Sequence, residues 1–329
     1  MEHSKVIVLY IDCTMLEKNN FKENGGKKSL LENNQGVYVL VPEAALLETL
    51  PVHLQERFLK ALTLIHDSLA ESLTWEEIAR QSAISPFHFH RQFSELFNET
   101  PGQYLNRVRL QTAVSMLFDA PGKNITEIAL EAGYSSSQAL AKALKRELNL
   151  TGKAIRELTR TGTVAQTSAL IAKLAHPAQG MSMEQKLAEK MPCELIWHPR
   201  RSLKGQIRND FDWELACEQL GEQVTKLVTI TPAAQMENQW QEIDLIVGEQ
   251  VRQASEASHI LREGYYLCCE VYVTSDVGFE AAWDGLYQYA EKYGYQIDLQ
   301  GYCIDIVRSV DLTPTGGAAY SLQLPVCER

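Results

Sequence analysis

Two histidines stand two residues apart in the aromatic-rich stretch "SPFHFHRQFSELF", residues 85–97. Imidazole is a common metal ligand, so a His-x-His pair first suggests a metal site. On a helix, however, His88 and His90 lie roughly 200° apart around the axis and cannot bind one ion together. The same helix places Phe89 and Phe93 on one side, which predicts a core-facing stripe. We therefore expect no metal here, and the outward side becomes the candidate for function.

That outward side presents Phe87, His90 and Arg91 near the start of the helix. The preceding stretch, "TWEEIARQSAI", has Thr74 and Glu77 in a capping-box pattern, so two short helices in succession predict a helix-turn-helix. In that motif the start of the second helix enters the major groove of DNA. There an arginine can bind guanine with two hydrogen bonds, and an aromatic ring can contact a thymine methyl group. The pattern favours DNA recognition over an ordinary polar surface.

A second copy of the pattern follows about fifty residues later. "TWEEIARQSAIS" at 74–85 is echoed by "NITEIALEAGYS" at 124–135, with Ala83 at the position of Gly133. A small residue in the turn lets two helices cross closely, as a helix-turn-helix requires. The intervening "YLNRVRLQTAVSMLF" predicts a linking helix about 25 Å long. Such a helix suits two recognition helices spaced one DNA turn apart.

The length of the chain and the distribution of its charge indicate how its domains are organised. A chain of 329 residues exceeds one comfortable core, so we expect several domains. The net charge of −11 is uneven, because residues 55–160 hold 13 Lys+Arg and 12 Asp+Glu. The acidity therefore belongs to the rest of the molecule, and a near-neutral domain can still bind DNA through one basic face. The longest apolar runs are too short for a membrane span and show no signal-peptide pattern, which predicts a cytoplasmic protein without membrane contact.

The seven cysteines do not suggest a cofactor or a disulfide framework. Their number is odd and no C-x-x-C spacing occurs, which argues against zinc. Adjacent Cys268 and Cys269 would point to opposite faces of a strand. We expect small buried side chains instead.

Four segments follow from the pattern along the chain. Residues 1–50 form an extension without an assigned role, and 51–160 an all-α domain with two helix-turn-helix units. Residues 161–183, rich in Ala, Ser, Thr and Gly, predict a linker. Residues 184–329 alternate in "GYYLCCEVYVTSD" and "AAYSLQLPV", with a helical stripe between two strands, which predicts an α+β domain.

The strand at 265–274 carries the candidate ligand residues of this acidic half. Tyr266, Glu270 and Tyr272 share one face. They suit either a plain solvent-facing sheet or a shallow pocket for a flat cation, in which the carboxylate supplies countercharge and the rings cation–π attraction. Asp305, between two isoleucines, would need a partner if buried. The residues alone leave these alternatives open.

Residues 55–160 resemble the AraC/XylS DNA-binding domain, through "IARQSAISPFHFHRQF", "TPGQYLNRVRLQTA", "ITEIALEAGYSSSQ" and "LTGKAIRE". The resemblance implies base contacts from early positions of each recognition helix, namely Phe87, His90, Arg91, Ser137, Gln138 and Lys142. Candidate phosphate contacts are Arg107, Arg109, Lys145, Arg146 and Arg156. The second unit departs from the family pattern, with leucines where aromatics are common and three alanines on its helix, so the first unit is expected to dominate recognition.

Residues 184–329 resemble a GyrI-like effector-binding domain, a duplicated α+β unit, through "GYYLCCEVYVTSDVGFEAAWDGLYQYAEKYGY", "GYCIDIV" and "LQLPV". In that family an acidic residue of the penultimate strand faces the ligand among aromatic side chains, and Asp305 holds that position. The resemblance implies a pocket that contains Asp305 together with Tyr266, Glu270 and Tyr272. Its ligand would be a small, flat, cationic molecule.

The sequence as a whole predicts a transcription regulator that binds double-stranded DNA and is controlled by a small-molecule effector. Activation through contact with RNA polymerase is implied by resemblance. No enzymatic activity is expected, although two alternatives exist for the acidic half. Some GyrI-like relatives hydrolyse small electrophiles, and gyrase-inhibiting relatives bind proteins instead.

Overall fold

The computed structural model describes residues 36–70, 73–120, 122–208, 216, 219–311 and 317–328. Within them an all-helical half precedes a half built on one mixed sheet of nine strands. The helices are α1 (Pro42–Leu47), α2 (Val52–Asp67), α3 (Trp75–Gln81), α4 (Pro86–Phe97), α5 (Pro101–Asp119), α6 (Ile125–Glu131), α7 (Ser137–Leu148), α8 (Gly152–Thr161), α9 (Val164–Ile171), α10 (Met183–Ala188) and α11 (Asp276–Tyr293). The strands are β1 (Tyr38–Val39), β2 (Glu194–His198), β3 (Arg201–Ile207), β4 (Leu227–Pro232), β5 (Ile246–Val251), β6 (His259–Leu261), β7 (Gly264–Val273), β8 (Tyr302–Val310) and β9 (Ala318–Val326). None of the helices within these ranges has the length and apolar content that a membrane span needs.

Helices α3 and α4 form the first helix-turn-helix unit. The capping box predicted at Thr74 is present, since its backbone N–H donates to the Glu77 carboxylate at 2.8 Å. Ser85 caps α4 by accepting from the backbone N–H of His88. Between them the backbone turns at Ala83, whose φ of 55° lies in the left-handed region. Local side-chain chemistry therefore sets where both helices begin.

A cluster of aromatic rings forms the core beneath this unit. Phe89, Phe93 and Phe97 are completely buried on α4, as is Phe58 on α2. The rings of Phe93 and Phe97 stack with 4.3 Å between their centroids, and Tyr104 packs edge-on against Phe93 at 5.3 Å. The predicted core role of the α4 phenylalanines is confirmed.

Helices α6 and α7 repeat this arrangement, so the internal repeat is confirmed. Gly133 takes the turn position with a φ of 79°, and Asn149 ends α7 with a φ of 59°, as Asn98 ends α4 with 58°. Leu140 and Leu144 are completely buried where α4 has phenylalanines. Helix α5, 19 residues and about 29 Å long, links the two units.

The sheet of the second half has the order β1-β7-β9-β8-β4-β5-β3-β6, and β2 also pairs with β7. Strands β2 and β3 are consecutive in the chain, yet β2 lies on β7 and β3 on β5. The sheet must therefore curve strongly to bring these edges together. One face, the outer face, packs against α11 through side chains such as Leu267 and Cys269. The opposite, inner face buries Leu203, Tyr266 and Cys268.

The N-terminal extension is part of both halves where the structure describes it. Strand β1 pairs in parallel with β7, with Tyr38 opposite Val271. Helix α1 follows at once and buries Leu47 in the aromatic core of the first unit. The sequence assigned no role to residues 1–50, of which residues 1–35 lie outside the described part of the chain.

The predicted linker also contacts both halves. Helix α9 buries Leu170 and Ile171 in the core of the second helix-turn-helix unit. On its other side the Ser168 hydroxyl donates to the Glu280 carboxylate on α11 at 2.5 Å. The predicted linker therefore packs against both halves of the chain through α9.

The turn positions of the two units give a matched stability test. A Cβ on Gly133 would lie 1.9 Å from the Leu69 carbonyl oxygen, and its φ is positive. We expect Gly133→Ala to lower the free energy of unfolding by more than about 2 kcal/mol. Ala83→Gly should instead raise it by about 0.5–1 kcal/mol, because glycine relieves the left-handed strain. Urea unfolding of both variants checks this, and equal effects would contradict the assigned turn geometry.

Candidate DNA-binding surface and ligand pocket

Helix α4 presents two of its three predicted base-reading side chains to solvent. Phe87 is 76% exposed, and Arg91 is exposed one turn later. His90 is only half-buried, because its ring packs against Trp75 of α3 with 5.2 Å between centroids. Phe87 and Arg91 are therefore the two predicted side chains of α4 that DNA could reach. His90 instead packs α4 against α3.

Helix α7 presents an equivalent pair. Gln138 and Lys142 are exposed, whereas Ser137 is half-buried next to the capping residue Ser136. The offset of 51 residues that relates Phe89 to Leu140 also relates Phe87 to Gln138 and Arg91 to Lys142. Each unit thus carries one cation at the same position of its second helix. The two second helices therefore present a positive side chain at equivalent positions, Arg91 on α4 and Lys142 on α7.

The predicted phosphate contacts divide into two groups. Lys145 and Arg146 are exposed on α7, although Arg146 pairs with Glu147 at 2.5 Å. Arg109 and Arg156 are partly buried and donate to backbone carbonyls, of Leu69 and Lys123 respectively. These two arginines brace the helix-turn-helix units from within.

Arg107 requires a correction, because the structure does not leave it free for phosphate. Its side chain is 12% exposed and donates from Nη2 to the Glu99 carboxylate at 2.7 Å. Its guanidinium also lies 5.0 Å from the centre of the Tyr104 ring. Burial opposes its charge, but Glu99 raises the pKa of Arg107 above its ordinary value. Helix α5 turns this residue inward, toward the second half of the chain.

The surroundings of Arg107 form a polar cluster that the sequence did not predict. The Tyr104 hydroxyl donates to Glu43 of α1 at 3.0 Å, and His66 contacts the same hydroxyl at 3.1 Å. Burial and the nearby Arg107 lower the pKa of His66 to about 4 and of His176 to about 3, so both imidazoles are neutral near pH 7. A small cleft of about 50 Å³ adjoins the cluster between α5 and the start of α11. No spacing rule could have found contacts between residues so far apart.

Asp305 lies on the outer face of the sheet, beneath α11. Its carboxylate accepts from Trp283 Nε1 at 3.0 Å. Nearby, the Tyr287 hydroxyl lies 3.6 Å from the Cys303 sulfur. Burial raises the pKa of Asp305 to about 7, against the opposing effect of the Trp283 hydrogen bond. The structure thus places an acidic group among aromatic side chains, and Trp283 is its direct partner.

The three other predicted ligand residues do not share this pocket. Asp305 and Leu322 are opposite each other across β8 and β9, and Leu322 faces Cys269 on β7. Tyr266 and Glu270 have the other parity along β7 and lie on the inner face. The expectation of one pocket with all four residues is therefore corrected.

Tyr272 and Glu270 are also already engaged. Tyr272 is 7% exposed, because the N-terminal segment packs over it through Val37, Val39 and Val41. The Glu270 carboxylate pairs with Arg308 at 3.3 Å. Neither side chain offers an open surface or a free countercharge to a cation.

The pH dependence of stability tests the burial of Asp305. Its folded-state pKa of about 7 exceeds the ordinary 3.8, so folding binds its proton more tightly. This contribution to stability is fully present below pH 3.8 and is lost as pH rises toward 7. Asp305→Asn cannot titrate, so its unfolding free energy relative to the parent should rise between pH 4 and 7 and then level off. Urea unfolding across pH 4–8, with Glu263→Gln as a surface control, checks this; a constant difference would contradict it.

Comparison with known proteins finds similarity in the helical half. The helix-turn-helix domain family matches residues 78–160. The transcriptional activator RhaS of Klebsiella pneumoniae is 33% identical over 101 residues, which is 31% of this chain and 36% of that protein. The chain thus spans about a third of the length of the curated relatives it matches, and these are helix-turn-helix transcriptional activators, not enzymes.

Two solved structures are similar to the same part of the chain. An AraC-type DNA-binding domain-containing regulator from Chromobacterium violaceum is 24% identical and covers 33% of this chain and 96% of its own, with a TM-score of 0.30. The DNA-binding domain of AdpA, solved with a target DNA, is 24% identical, covers 31% and 91%, and also has a TM-score of 0.30. The segment 78–160 thus matches the helix-turn-helix domain family, and its two capped pairs of helices agree with that match.

Proposed function

We propose that the chain is a sequence-specific transcription regulator that binds duplex DNA with both helix-turn-helix units. The observation that carries this is the equivalence of Arg91 and Lys142, two exposed cations at the same position of two repeated recognition helices. Phe87 and Gln138 form the second matched pair. Arginine and lysine bind guanine edges or phosphate, and glutamine pairs with adenine, so each helix carries groups suited to base recognition.

Contacts to the phosphate backbone of DNA would come from Lys145 and Arg146, which are exposed on the second recognition helix. They would position the protein without specifying sequence. Because the similar relatives are transcriptional activators, we propose that this chain activates transcription through contact with RNA polymerase. The site of action of such a regulator is the cytoplasm.

The second half of the chain would regulate DNA binding by binding a small-molecule effector beside Asp305. A half-buried carboxylate next to Trp283 and Tyr287 suits a flat cation, which would gain countercharge and cation–π attraction. Trp283 lies on α11, and the first turn of α11 packs into the core of the second helix-turn-helix unit through Val277. A ligand that favours one position of α11 would therefore favour one arrangement of the DNA-binding units.

Selection of binding sites from random duplexes tests the DNA-reading role. The full chain should enrich a motif with two half-sites. Arg91→Ala should lose about 1–3 kcal/mol of specific binding and relax one half-site, while Lys142→Ala should relax the other. Lys190→Ala, which removes an exposed cation from the second half, is the control and should leave the motif intact.

Each alternative outcome has a distinct meaning. A motif that persists unchanged in Arg91→Ala would remove α4 from base recognition. A motif confined to the Arg91 half-site would limit α7 to backbone contact. Absence of any enriched motif from folded protein would contradict the proposed function.

A further inference from the structure

Strand β2 has one edge to which no other described strand is paired. Of the described strands, β1, β2 and β6 each have a single partner. Strand β2 is the longest of these, with five residues against two and three. It pairs with β7 from Glu194, opposite Cys268, to His198, opposite Gly264. Every second residue of β2 therefore directs its backbone N–H and C=O away from β7, and no described backbone group bonds to that edge.

Two large apolar side chains of β2 are exposed beside this edge. Leu195 is 44% exposed and Trp197 is 53% exposed. Both have the parity of Leu267, the partner of Leu195, and so lie on the outer face of the sheet. Ile196, between them, is half-buried and packs against the inner-face core. Edge strands commonly carry lysine or proline, which oppose further pairing, and β2 has neither.

The sequence of β2 is complementary to itself in the antiparallel direction. With a two-fold axis at Ile196, Leu195 lies opposite Trp197 of a second copy, and Glu194 lies opposite His198. Pairs of an aliphatic and an aromatic side chain stabilise neighbouring strands, as do polar pairs that hydrogen-bond. Partial burial and nearby arginines lower the pKa of His198. The polar pair is therefore a hydrogen bond from a neutral imidazole to a carboxylate.

This self-complementarity favours a second copy of the chain over a different protein as the partner of β2. A closed two-fold contact uses the same surface patch on both copies, so the patch must fit itself. The five positions of β2 meet this condition in one register. Pairing would continue the sheet from β7 of one copy to β7 of the other and would cover the exposed indoles. The strand is only about 16 Å long, so we expect a small interface and a micromolar dimer.

We propose that two copies of the chain associate through their β2 edges, as a two-fold antiparallel strand pair centred on Ile196. On the outer face, the indole of Trp197 in each copy would pack against Leu195 of the other. The dimer would carry two DNA-binding halves, so it could bind two DNA sites at once. The proposal goes beyond the proposed function and does not depend on DNA binding.

Sedimentation equilibrium of the full chain between about 1 and 200 μM tests this contact. The parent should shift from monomer to dimer as its concentration rises. Trp197→Lys should weaken association at least about tenfold, because the indole contact is lost and a cation on the edge opposes strand pairing. Ile207→Lys is the matched control, since Ile207 is also 53% exposed and lies on β3 of the same sheet. It should leave association unchanged.

Cross-linking tests the register and covers the case in which Trp197→Lys does not fold. Ile196→Cys, in a Cys327→Ser background that removes an exposed thiol, places two cysteines opposite each other across the two-fold axis. Opposite residues of paired strands are close enough for a disulfide, so mild oxidation should join the two copies. Glu194→Cys is four positions out of register with its own counterpart. It should give no more cross-linked dimer than the background.

Four outcomes would overturn the proposal. A parent that stays monomeric at the highest concentration would leave the β2 edge to a different protein. Unchanged association of folded Trp197→Lys, or an equal loss in Ile207→Lys, would place the contact elsewhere. Equal cross-linking of Ile196→Cys and Glu194→Cys would contradict the register.

Discussion

The buried ion pair between Arg107 and Glu99 is the interaction on which the packing around α5 depends. Taking two charges out of water costs several kcal/mol per ion, and removal of one partner leaves the other uncompensated. The ion pair therefore depends on neighbouring polar groups that stabilise its two charges. Tyr104 stacks near the guanidinium and bonds Glu43 of α1, while His176 approaches Glu99 at 3.7 Å. Helix α5, which links the two helix-turn-helix units, is thereby held to α1 and to the segment before α10.

The N-terminal segment contacts both halves of the chain. Residues 37–47 add a short strand to β7 and then place Leu47 in the aromatic core of the first unit. A second connection runs through Ser168 and Glu280, and through Val277 in the core of the second unit. Each helix-turn-helix unit is thus in contact with the sheet half by its own route. Both helix-turn-helix units are therefore connected to the sheet half through packed side chains.

The sheet has two faces with opposite chemistry, which follows from the alternation of side chains along a strand. The outer face carries Asp305 under α11, bonded to Trp283. The inner face carries Arg201, which donates to Gln323, and Glu270, which pairs with Arg308. The sheet must curve to bring β2, on β7, close to β3, on β5, because only two residues connect these two strands.

The sequence by itself determined the elements whose causes are local. The helix cap at Thr74 and the core stripe of α4 depend on residues within one or two turns of each other. The repeat that relates Ala83 to Gly133 shows itself because each copy carries the same local pattern. The separation of Cys268 from Cys269 follows equally from strand parity. Only the tertiary structure decided that Arg107 points inward and that Asp305 and Tyr266 lie on opposite faces. The reason is that burial and pairing of these groups depend on strands and helices far away in the chain, whose relative placement no local pattern encodes.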